Sequence, residues 1–500
     1  MSIEERVRDK RLLQRIVRAD KAVAVIQDGM TVATTGNAFS GFPRTVLLAM
    51  AERLSARNQK VAVFCAGALG REVEEAFDQG NVVYRRLGSL GSTSARKAVV
   101  EGRMRFLDVK SGLFPLQVAR GDYGSVDVAL IEAVAITKDG HIVPSTALID
   151  GPRWVQCAER VVVEINPWIS AKLEGFHDVF LPDPQPGARP IPLHAMDQQI
   201  GTPHMVVEGD KIYAIVETTA PMPAAEKVRE PNEVNRQIAG NFVRFLESEM
   251  ETGKLPTPPP PLELGIGALA EVILERLKAS GLKSLSLYLP GVTEGVLDLI
   301  DAGKVAFVAA TNLRMGKTGL NRFFTNIERY RSIILRPLDV INNGDVIRRM
   351  NVIALNAAIE VDMLGQVNSS HLMGVKIVGG IGGAYDYARN ARLSVFLTPS
   401  TAKGGDISCV VPLVSHVDHT EHDADVIITE RGVADVRGLD PMERAVAIIQ
   451  LCSHPEYRQE LVHYLEKAKR QTGGRQPIVM AEAFSFHQRF AAHETMKQPI

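Results

Sequence analysis

Short apolar runs alternate along the chain with longer amphipathic stretches, and glycine turns separate them. Residues 4–27 predict a helix followed by the apolar Ala22–Ile26, and Arg44–Arg53 predicts a second helix. Predicted strands in the first half are Thr31–Thr35, Lys60–Phe64, Phe106–Asp108, Val126–Glu132, Arg160–Ile165 and Lys211–Val216. The order strand, glycine turn, helix, strand is typical of an α/β domain with a mostly parallel sheet.

The second half restarts this order after a stiff spacer. Asn232–Met250 predicts an amphipathic helix, and the proline-rich Leu255–Pro261 predicts an extended connection. Predicted strands are Glu263–Gly267, Leu285–Leu289, Val305–Val308, Ile333–Leu335, Val352–Asn356, Leu393–Leu397 and Ser408–Val414, and predicted helices are Leu269–Ala279, Val292–Ala302, Pro441–Cys452 and Tyr457–Gln471. We therefore predict two similar open-sheet α/β domains, residues 1–224 and residues 225–500.

Composition narrows the class of protein. The 500 residues are 45% hydrophobic and 23% charged, which is ordinary for a globular enzyme, and the formal net charge is −1. Because no long basic run occurs, neither nucleic acid nor an anionic membrane is an expected partner. The 4 cysteines have no zinc-type spacing and are predicted to be buried thiols. The charged N-terminal helix and the absence of a long apolar run predict a cytoplasmic protein.

Glycine-rich loops are the first candidate site. The stretch Val375–Thr420 contains Gly379-Gly380-Ile381-Gly382-Gly383 after a β-rich run. Without a Cβ, such residues let backbone N–H groups approach a phosphate or an oxyanion closely, although a tight turn explains an isolated loop equally well. The loop Gly36–Pro43 follows a predicted strand, so it is a candidate rim of a site at the carboxyl ends of the strands.

Blocks of sequence in a fixed order carry a resemblance. In the first half they are DGMTVATTG (28–36), VDVALIEA (126–133) and IGTPHMVVEGDKIYAIVET (200–218). In the second half they include GIGALAEVIL (265–274), residues 341–371, GGIGGAYDYARNA (379–391), residues 402–439 and HPEYR (454–458). These blocks resemble the acetyl-CoA hydrolase/transferase family of class I coenzyme A transferases.

The resemblance implies a fold and a reaction. Family members have two α/β domains of one type, with the active site in the cleft between them, and they form dimers. A glutamate carboxylate attacks the acyl-CoA thioester, and the resulting glutamyl thioester with CoA is resolved by a carboxylic acid or by water. Coenzyme A is therefore an expected substrate, and no cofactor is expected.

The resemblance also implies site residues, block by block. Gly382, Gly383 and the backbone near Ile266 match the oxyanion and thioester cradle, and Lys403 matches a lysine near the CoA phosphates or pantetheine. Asn342 and Glu430 match polar residues of the pocket. The other residues assigned to CoA or substrate binding are Gly267, Pro290, Gly380 and Gly404.

The family nucleophile is missing from its expected place. Alignment through Tyr288 and through residues 298–304 puts Pro290 at the strand end where relatives carry the glutamate. Glu294 lies four residues, about one helical turn, further on. Either Glu294 swings into the site, or it is an ordinary first-turn residue favoured by the helix dipole. In a third interpretation, the chain keeps the acyl-CoA site but has abandoned glutamyl-thioester chemistry.

Histidines follow the predicted strand Ser408–Val414. His416, His419 and His422 have the spacing His-x-x-His-x-x-His beyond a strand end, with acids at Asp418, Glu421 and Asp423, and this pattern fits no standard ligand motif. We therefore expect no metal, and His416 or His419 becomes a candidate general base if water is the nucleophile.

Three functions compete. The first is transfer of CoA between an acyl-CoA and a carboxylic acid, or hydrolysis of the acyl-CoA. The second is a hydrolase that uses water on a CoA-linked substrate, at the thioester or at a carbon–carbon bond, without a glutamyl-CoA intermediate. The third, a non-catalytic CoA-binding protein, leaves the polar pocket residues unexplained, and we rank it last.

Overall fold

The computed structural model describes residues 1–38, 40–185, 187–219, 221 and 231–498. Its strands, numbered in chain order, are β1 Thr31–Thr34, β2 Val61–Cys65, β3 Val83–Gly88, β4 Arg105–Leu107, β5 Val128–Ile136, β6 Ile142–Pro144, β7 Arg160–Ile165, β8 Ile212–Glu217, β9 Leu262–Leu264, β10 Leu285–Leu289, β11 Val305–Ala310, β12 Ile333–Leu335, β13 Ile353–Ala357, β14 Glu360–Asp362, β15 Val367–Asn368, β16 His371–Leu372, β17 Lys376–Ile377, β18 Leu393–Leu397, β19 Thr401–Ala402, β20 Ile407–Ser408, β21 Val410–Val411, β22 Val426–Ile428 and β23 Val433–Asp435.

The helices are numbered in the same way. They are α1 Ile3–Arg6, α2 Ala19–Ala22, α3 Arg44–Ala56, α4 Arg71–Gly80, α5 Thr93–Val100, α6 Phe114–Ala119, α7 Gly151–Cys157, α8 Glu233–Glu251, α9 Ala268–Ala279, α10 Glu294–Asp301, α11 Lys317–Thr325, α12 Leu338–Ile341, α13 Gly344–Arg349, α14 Ala384–Ala388, α15 Pro441–Cys452, α16 Pro455–Thr472 and α17 Ser485–His493. Short 3-10 turns occupy Lys10–Arg15, Val23–Val25, Ala171–Leu173, Ile327–Tyr330 and Lys403–Gly405.

Two mostly parallel, 8-stranded sheets carry the fold. The first has the order β4-β3-β2-β1-β5-β7-β8, with β6 paired antiparallel to β5. The second has the order β12-β11-β10-β9-β13-β18-β22-β23, with β23 as an antiparallel edge strand. β5 is buried along its whole length, because helices cover both faces of a parallel sheet. This architecture confirms the predicted fold class of two open-sheet α/β domains.

The chain packs as two compact units. The first comprises Met1–Lys227, Leu287–Ile300 and Ala306–Met350, and the second comprises Val228–Ser286, Asp301–Val305 and Asn351–Ile500. The domain boundary predicted between residues 224 and 225 lies outside the described residues and stays a prediction.

Two predicted elements are broken into shorter ones in the structure. The helix expected over residues 4–27 is broken into α1, a 3-10 turn and α2, because Val7 and Ile16 form bridges to Ile136 and Ile215 of the first sheet. The strand expected over Ser408–Val414 is split into β20 and β21, and the Ser408 hydroxyl donates to the carbonyl of Val410. Pairing with a distant strand breaks the helix, and a hydrogen bond from a side chain to the nearby backbone breaks the strand, so the apolar pattern alone does not decide either element.

The thiols are free. Cys65, Cys409 and Cys452 are buried and Cys157 is half-buried, in agreement with the predicted buried cysteines. Burial raises the pKa of the Cys65 thiol to about 12, so it stays protonated at neutral pH. Among the helices of the described residues, none has both the length and the apolar character needed to cross a bilayer.

A buried ion pair organises the irregular chain of the first unit. Arg336 Nε donates to Asp178 Oδ2 at 2.9 Å, and both side chains are 0% exposed. The same guanidinium donates to the carbonyls of Met196 and Gln198. Asp178 Oδ1 in turn accepts from the backbone of residues 200 and 201. One pair thus holds four backbone groups that no sheet or helix satisfies.

We expect Arg336→Met to destabilise the protein strongly. Removing the guanidinium leaves the Asp178 carboxylate buried without a counter-charge, at a cost of about 3–5 kcal/mol. Urea unfolding followed by circular dichroism measures the loss. Arg18→Met is the control, because Arg18 and Asp20 form an exposed pair, and exposed pairs contribute little to stability. Equal unfolding midpoints for the two variants would contradict this account.

Candidate functional site

Pro290, which the sequence analysis predicts at the position of the family glutamate, directly follows β10. Its carbonyl oxygen accepts hydrogen bonds from Thr311 Oγ1 at 2.5 Å and from Asn312 Nδ2 at 2.7 Å. These bonds hold the backbone at the strand end, while the pyrrolidine ring has no group that can attack a thioester carbon. The position is therefore anchored but has no nucleophile.

Glu294, the nearest alternative acid, begins α10 and binds another helix. Its Oε1 accepts from the backbone N–H of Gly316 at 3.0 Å, and Gly316 is the N-cap of α11. A Cβ at Gly319 would lie 2.5 Å from the same Oε1, so α11 leaves space for this carboxylate. A carboxylate at a helix N-terminus is stabilised by the backbone donors and by the helix dipole. To attack a thioester, Glu294 would have to leave this bond.

A strained residue lies next to the anchors of Pro290. Ile149 is buried and has a φ of 39°, which is a genuine outlier for a β-branched residue. The backbone N–H of Leu148 donates to the Thr311 carbonyl at 2.9 Å, and Leu338 N donates to the Ile149 carbonyl at 2.8 Å. Such strain persists only where the surroundings impose it, and it clusters at functional sites. No pattern in the sequence indicated Ile149.

The predicted rim loop, residues 36–43, reaches the same region of the first unit. Ser40 Oγ donates to the Leu313 carbonyl at 2.6 Å and lies 3.0 Å from Thr146 Oγ1. Gly41 has a φ of 63°, and a Cβ there would lie 2.3 Å from the Cβ of Ala147. Phe39 of this loop lies outside the described residues. The loop after β1 is therefore hydrogen-bonded to the chain after β11, beside the end of β10.

Asn342, predicted to line the pocket, belongs to the first unit as well. It is 5% exposed and is the C-cap of α12. A Cβ at Gly112 would lie 2.3 Å from the Asn342 carbonyl oxygen, so the two backbones are in close contact. The buried Tyr288 of β10 donates to the carbonyl of Val340, two residues before Asn342. The first unit thus groups Pro290, Tyr288 and Asn342 around one strand end.

The second unit carries the predicted glycine cradle. Gly380 and Gly382 have φ values of 115° and 55°. Residues with a side chain rarely adopt such backbone angles, so these two positions need glycine. Gly383 is the N-cap of α14. Gly267 is the N-cap of α9, and the Ile266 side chain before it is 38% exposed.

Lys403 and Glu430 both have partners in the second unit. Lys403 Nζ lies 4.9 Å from the centre of the Phe490 ring and 3.9 Å from a carboxylate oxygen of Glu494, and Gly404 follows it with a φ of 69°. Glu430 accepts from the backbone N–H and the hydroxyl of Ser400 and from Arg431 Nε. Both side chains are thus held by contacts that the sequence did not indicate.

Glu263 is an acid that the sequence analysis did not assign to the site. It lies at the centre of β9, is 3% exposed, and its Oε2 has no hydrogen-bond partner among the described residues. Burial raises its pKa to about 8, so the carboxyl is protonated at neutral pH. Glu263 lies opposite Ala354, which lies opposite Ser394, and the Ser394 hydroxyl is also without a described partner. The only sequence signal was one acid inside the apolar run LELGIG.

Histidines of the second unit occupy two environments. His419 is buried, and burial lowers its pKa to about 4, so it is neutral and closed to solvent. His416 is half-buried, and its Nε2 lies 3.3 Å from Asp418 Oδ1. Its ring centre lies 3.9 Å from that of His371, a residue that the sequence analysis did not single out. Burial alone would raise the pKa of Asp418, but bonds from Ser370 and Ser369 and the nearby His416 hold it below the ordinary value.

Glu360 holds the start of this histidine-rich segment. Its Oε1 accepts from the Ser415 backbone and hydroxyl and from Asn368 Nδ2, and its Oε2 lies 2.8 Å from His487 Nε2. These contacts give Glu360 a structural role, in agreement with its position in the short strand β14.

Comparison with protein families identifies two matching models. The acetyl-CoA hydrolase/transferase N-terminal domain matches residues 1–217, and the C-terminal domain of the same name matches residues 319–465. A succinyl-CoA:acetate CoA-transferase of Clostridium kluyveri is 38% identical over 99% of this chain and 92% of its own length. A propanoyl-CoA:succinate CoA transferase of Escherichia coli is 34% identical over 96% and 98%. An acetyl-CoA hydrolase of Saccharomyces cerevisiae is 32% identical over 99% and 97%.

Solved structures have the same fold. RipA from Yersinia pestis superposes with a TM-score of 0.71 and 20% identity over 93% of this chain and 99% of its own. A 4-hydroxybutyrate CoA-transferase from Porphyromonas gingivalis superposes with a TM-score of 0.63 and 22% identity over 91% and 98%. At these identities the likeness establishes the fold alone.

We expect Gly41→Ala to be far more damaging than Gly29→Ala. Both glycines have positive φ, so an alanine at either position destabilises the folded chain by about 1–2 kcal/mol through its left-handed backbone. Only the Cβ at residue 41 collides with Ala147, whereas the space around Gly29 is open. Thermal unfolding of both variants measures the difference. Equal melting temperatures would show that the rim loop does not pack on residues 146–147.

We expect Glu263→Gln to change the pH dependence of stability. The unfolded chain ionises Glu263 near 4.5, while the folded chain keeps the proton until about pH 8. The stability that the protonated acid contributes is therefore complete below pH 4.5 and is lost as the pH rises to about 8, at about 1.4 kcal/mol per pH unit. A glutamine cannot ionise, so the variant should lose less stability across this range. Parallel stability curves for variant and wild type, measured by urea unfolding from pH 4 to 8, would refute this.

Proposed function

Because the chain belongs to the acetyl-CoA hydrolase/transferase family, we propose that it is an acyl-CoA hydrolase in which water attacks the thioester directly. It is an enzyme of this family, whose named members transfer CoA or hydrolyse acyl-CoA. In the proposed reaction, the water oxygen adds to the acyl carbon and the carbon–sulfur bond breaks. One proton of the water goes to the departing thiolate, and the products are CoA and a carboxylic acid.

The single observation that carries this proposal is that neither Pro290 nor Glu294 offers an unbound carboxylate as a nucleophile. Pro290 has no carboxylate, and its carbonyl is bound by Thr311 and Asn312. The Glu294 carboxylate is bound by Gly316 at the start of α11. A nucleophile has to lie within about 3–3.5 Å of the carbon that it attacks, and the Glu294 carboxylate is already held by its hydrogen bond to Gly316.

Other features support retention of the acyl-CoA site. Gly380 and Gly382 have positive φ values, and a Cβ at Gly382 would meet nothing within 4 Å, so a ligand oxygen can approach the backbone there, as an oxyanion cradle requires. Stabilisation of a tetrahedral oxyanion serves attack by water as well as attack by a carboxylate. A missing nucleophile therefore removes one route to the intermediate and keeps its stabilisation.

CoA transfer to a carboxylic acid is the second candidate, and the 38% identical CoA-transferase of Clostridium kluyveri favours it. This route requires Glu294 to break its bond with Gly316 and to form a glutamyl thioester. We further propose that the protein acts in the cytoplasm as a homodimer, with acyl-CoA and water or a small carboxylic acid as its partners. Light scattering after size exclusion measures the subunit number.

A single turnover in ¹⁸O-labelled water distinguishes the two routes. Direct attack puts one ¹⁸O atom into the carboxylic acid in the first turnover. A glutamyl route gives an unlabelled acid first, because its new oxygen comes from the glutamate, and the label enters the enzyme. Mass spectrometry of the acid and of the peptide that contains Glu294 reads both outcomes. Label in that peptide would overturn the proposal.

We expect Glu294→Gln to leave thioester hydrolysis within about threefold of wild type, because the amide oxygen still accepts from Gly316. Loss of the charge at the N-terminus of α11 should cost only about 0.3–1 kcal/mol of stability. Thiol release from a panel of acyl-CoAs measures the rate, and thermal unfolding measures the stability. Abolition of activity with the fold intact would identify Glu294 as the nucleophile.

We expect Pro290→Glu to raise exchange of CoA between an acyl-CoA and a free carboxylic acid. The substitution puts a carboxylate at the end of β10, where relatives of this family use one. Borohydride reduction after incubation with acyl-CoA should trap a modified glutamate at residue 290 in the variant and none in wild type. Pro290→Gln is the matched control, since it changes the backbone in the same way without supplying a carboxylate.

A further inference from the structure

Three metal-ligating side chains of the second unit lie together outside the glycine cradle. One ligand atom each from His371, His416 and Asp418 can be chosen so that all three lie within 4.8 Å of one another. His416 Nε2 is already 3.3 Å from Asp418 Oδ1. Two ligands that are each about 2.1 Å from a tetrahedral metal ion lie about 3.4 Å apart, so this pair needs almost no movement.

Two serines position the three side chains. Ser370 Oγ lies 2.7 Å from His371 Nδ1 and 2.7 and 2.8 Å from the two oxygens of Asp418. The backbone N–H of Ser369 donates to Asp418 Oδ2 at 2.7 Å. When the Ser370 hydroxyl donates to Asp418, it accepts from His371 Nδ1–H, and Nε2 becomes the lone-pair nitrogen of this histidine. Hydrogen bonds of this kind, which set tautomer and orientation, are typical around metal ligands.

The backbone around the cluster is paired as well. The Val367 N–H donates to the His419 carbonyl at 2.9 Å, and the Asp418 N–H donates to the Val367 carbonyl at 2.9 Å. These bonds tie β15 to the segment that carries His416 and Asp418. The ligands are therefore held by main-chain pairing and by two serines before any ion binds.

We propose that His371, His416 and Asp418 bind a divalent transition-metal ion of the zinc class. Two imidazoles and a carboxylate suit Zn²⁺, Co²⁺ or Ni²⁺, and three protein ligands leave at least one coordination position for water. All three residues are half-buried, so an ion reaches them from solvent. The site does not depend on the proposed hydrolysis.

The ion would fix the base of the hairpin formed by β16 and β17, which begins at His371. This hairpin leads directly into residues 379–383, the predicted glycine cradle. The sequence analysis expected no metal because it considered only the histidines and acids of one segment, residues 416–423. His371 lies 45 residues earlier than His416, and the fold brings it to them.

Cobalt titration of the untagged full-length protein tests the site. We expect one Co²⁺ per chain, seen by its visible d–d absorption, and displacement of that band by Zn²⁺. His416→Ala and Asp418→Asn should each abolish the band, and Ser370→Ala should weaken binding by about 10–100-fold. His463→Ala, an exposed histidine on α16, is the control and should leave the band unchanged.

The wild-type protein alone can refute the proposal. No Co²⁺ band, and no Zn²⁺ retained after gel filtration by elemental analysis, would overturn it. A band that persists in His416→Ala would also overturn it, since the ion would then lie elsewhere. Zn²⁺ should raise the melting temperature of wild type and of His463→Ala but not of Asp418→Asn, which checks binding to the folded state independently.

Discussion

The first unit depends on the requirement that buried charge be paired. Arg336 with Asp178 and Arg153 with Asp339 are two ion pairs whose side chains are at most 1% exposed. Each carboxylate or guanidinium left alone at such depth would cost several kcal/mol, so the chain has few arrangements that satisfy all four groups. Both pairs involve the short segment between β12 and Asn342. The position of Asn342 is therefore a consequence of electrostatics several residues away.

The same unit gives the acid nearest to the end of β10 a partner of its own. Glu294 lies in the first turn of α10, where its carboxylate accepts from the backbone N–H of Gly316, the N-cap of α11. The negative charge and lone pairs of a carboxylate make it a good helix cap, and the same lone pairs would have to carry out an attack on a thioester. An acid used as a cap is held in place, and attack on a thioester depends on distance more than on the type of group.

The second unit shows how surroundings give similar groups different charges. Glu263 is buried in an apolar strand without a described partner for Oε2, and it is neutral at pH 7. Asp418 accepts hydrogen bonds from two serines beside a histidine, and its pKa stays below the ordinary value. Hydrogen bonds to the charged form compensate for the hydration that a carboxylate loses on burial. Asp418 has such bonds, whereas Oε2 of Glu263 has none among the described residues, so Glu263 keeps its proton.

Local pattern determined the fold class and the glycine loops of this protein. Buried parallel strands require continuous apolar runs, so β7, β10, β12 and β18 appear in the sequence with the bounds that the structure has. The glycines at 380 and 382 reflect backbone angles that other residues avoid, which is also a local property. Resemblance to a family added the reaction class and the prediction that Pro290 takes the place of the family glutamate.

Only the tertiary structure decided which partner each polar side chain has. Distant chain segments meet where Glu294 contacts Gly316 and where His371 contacts His416. The strained backbone at Ile149 is likewise imposed by its surroundings and not by the local sequence. The N-terminal helix expected over residues 4–27 was lost to pairing with the first sheet for the same reason. The spacing of apolar residues shows which face of a segment packs on the core. It does not show which distant residues will be hydrogen-bonded, because those partners depend on how the whole sheet packs.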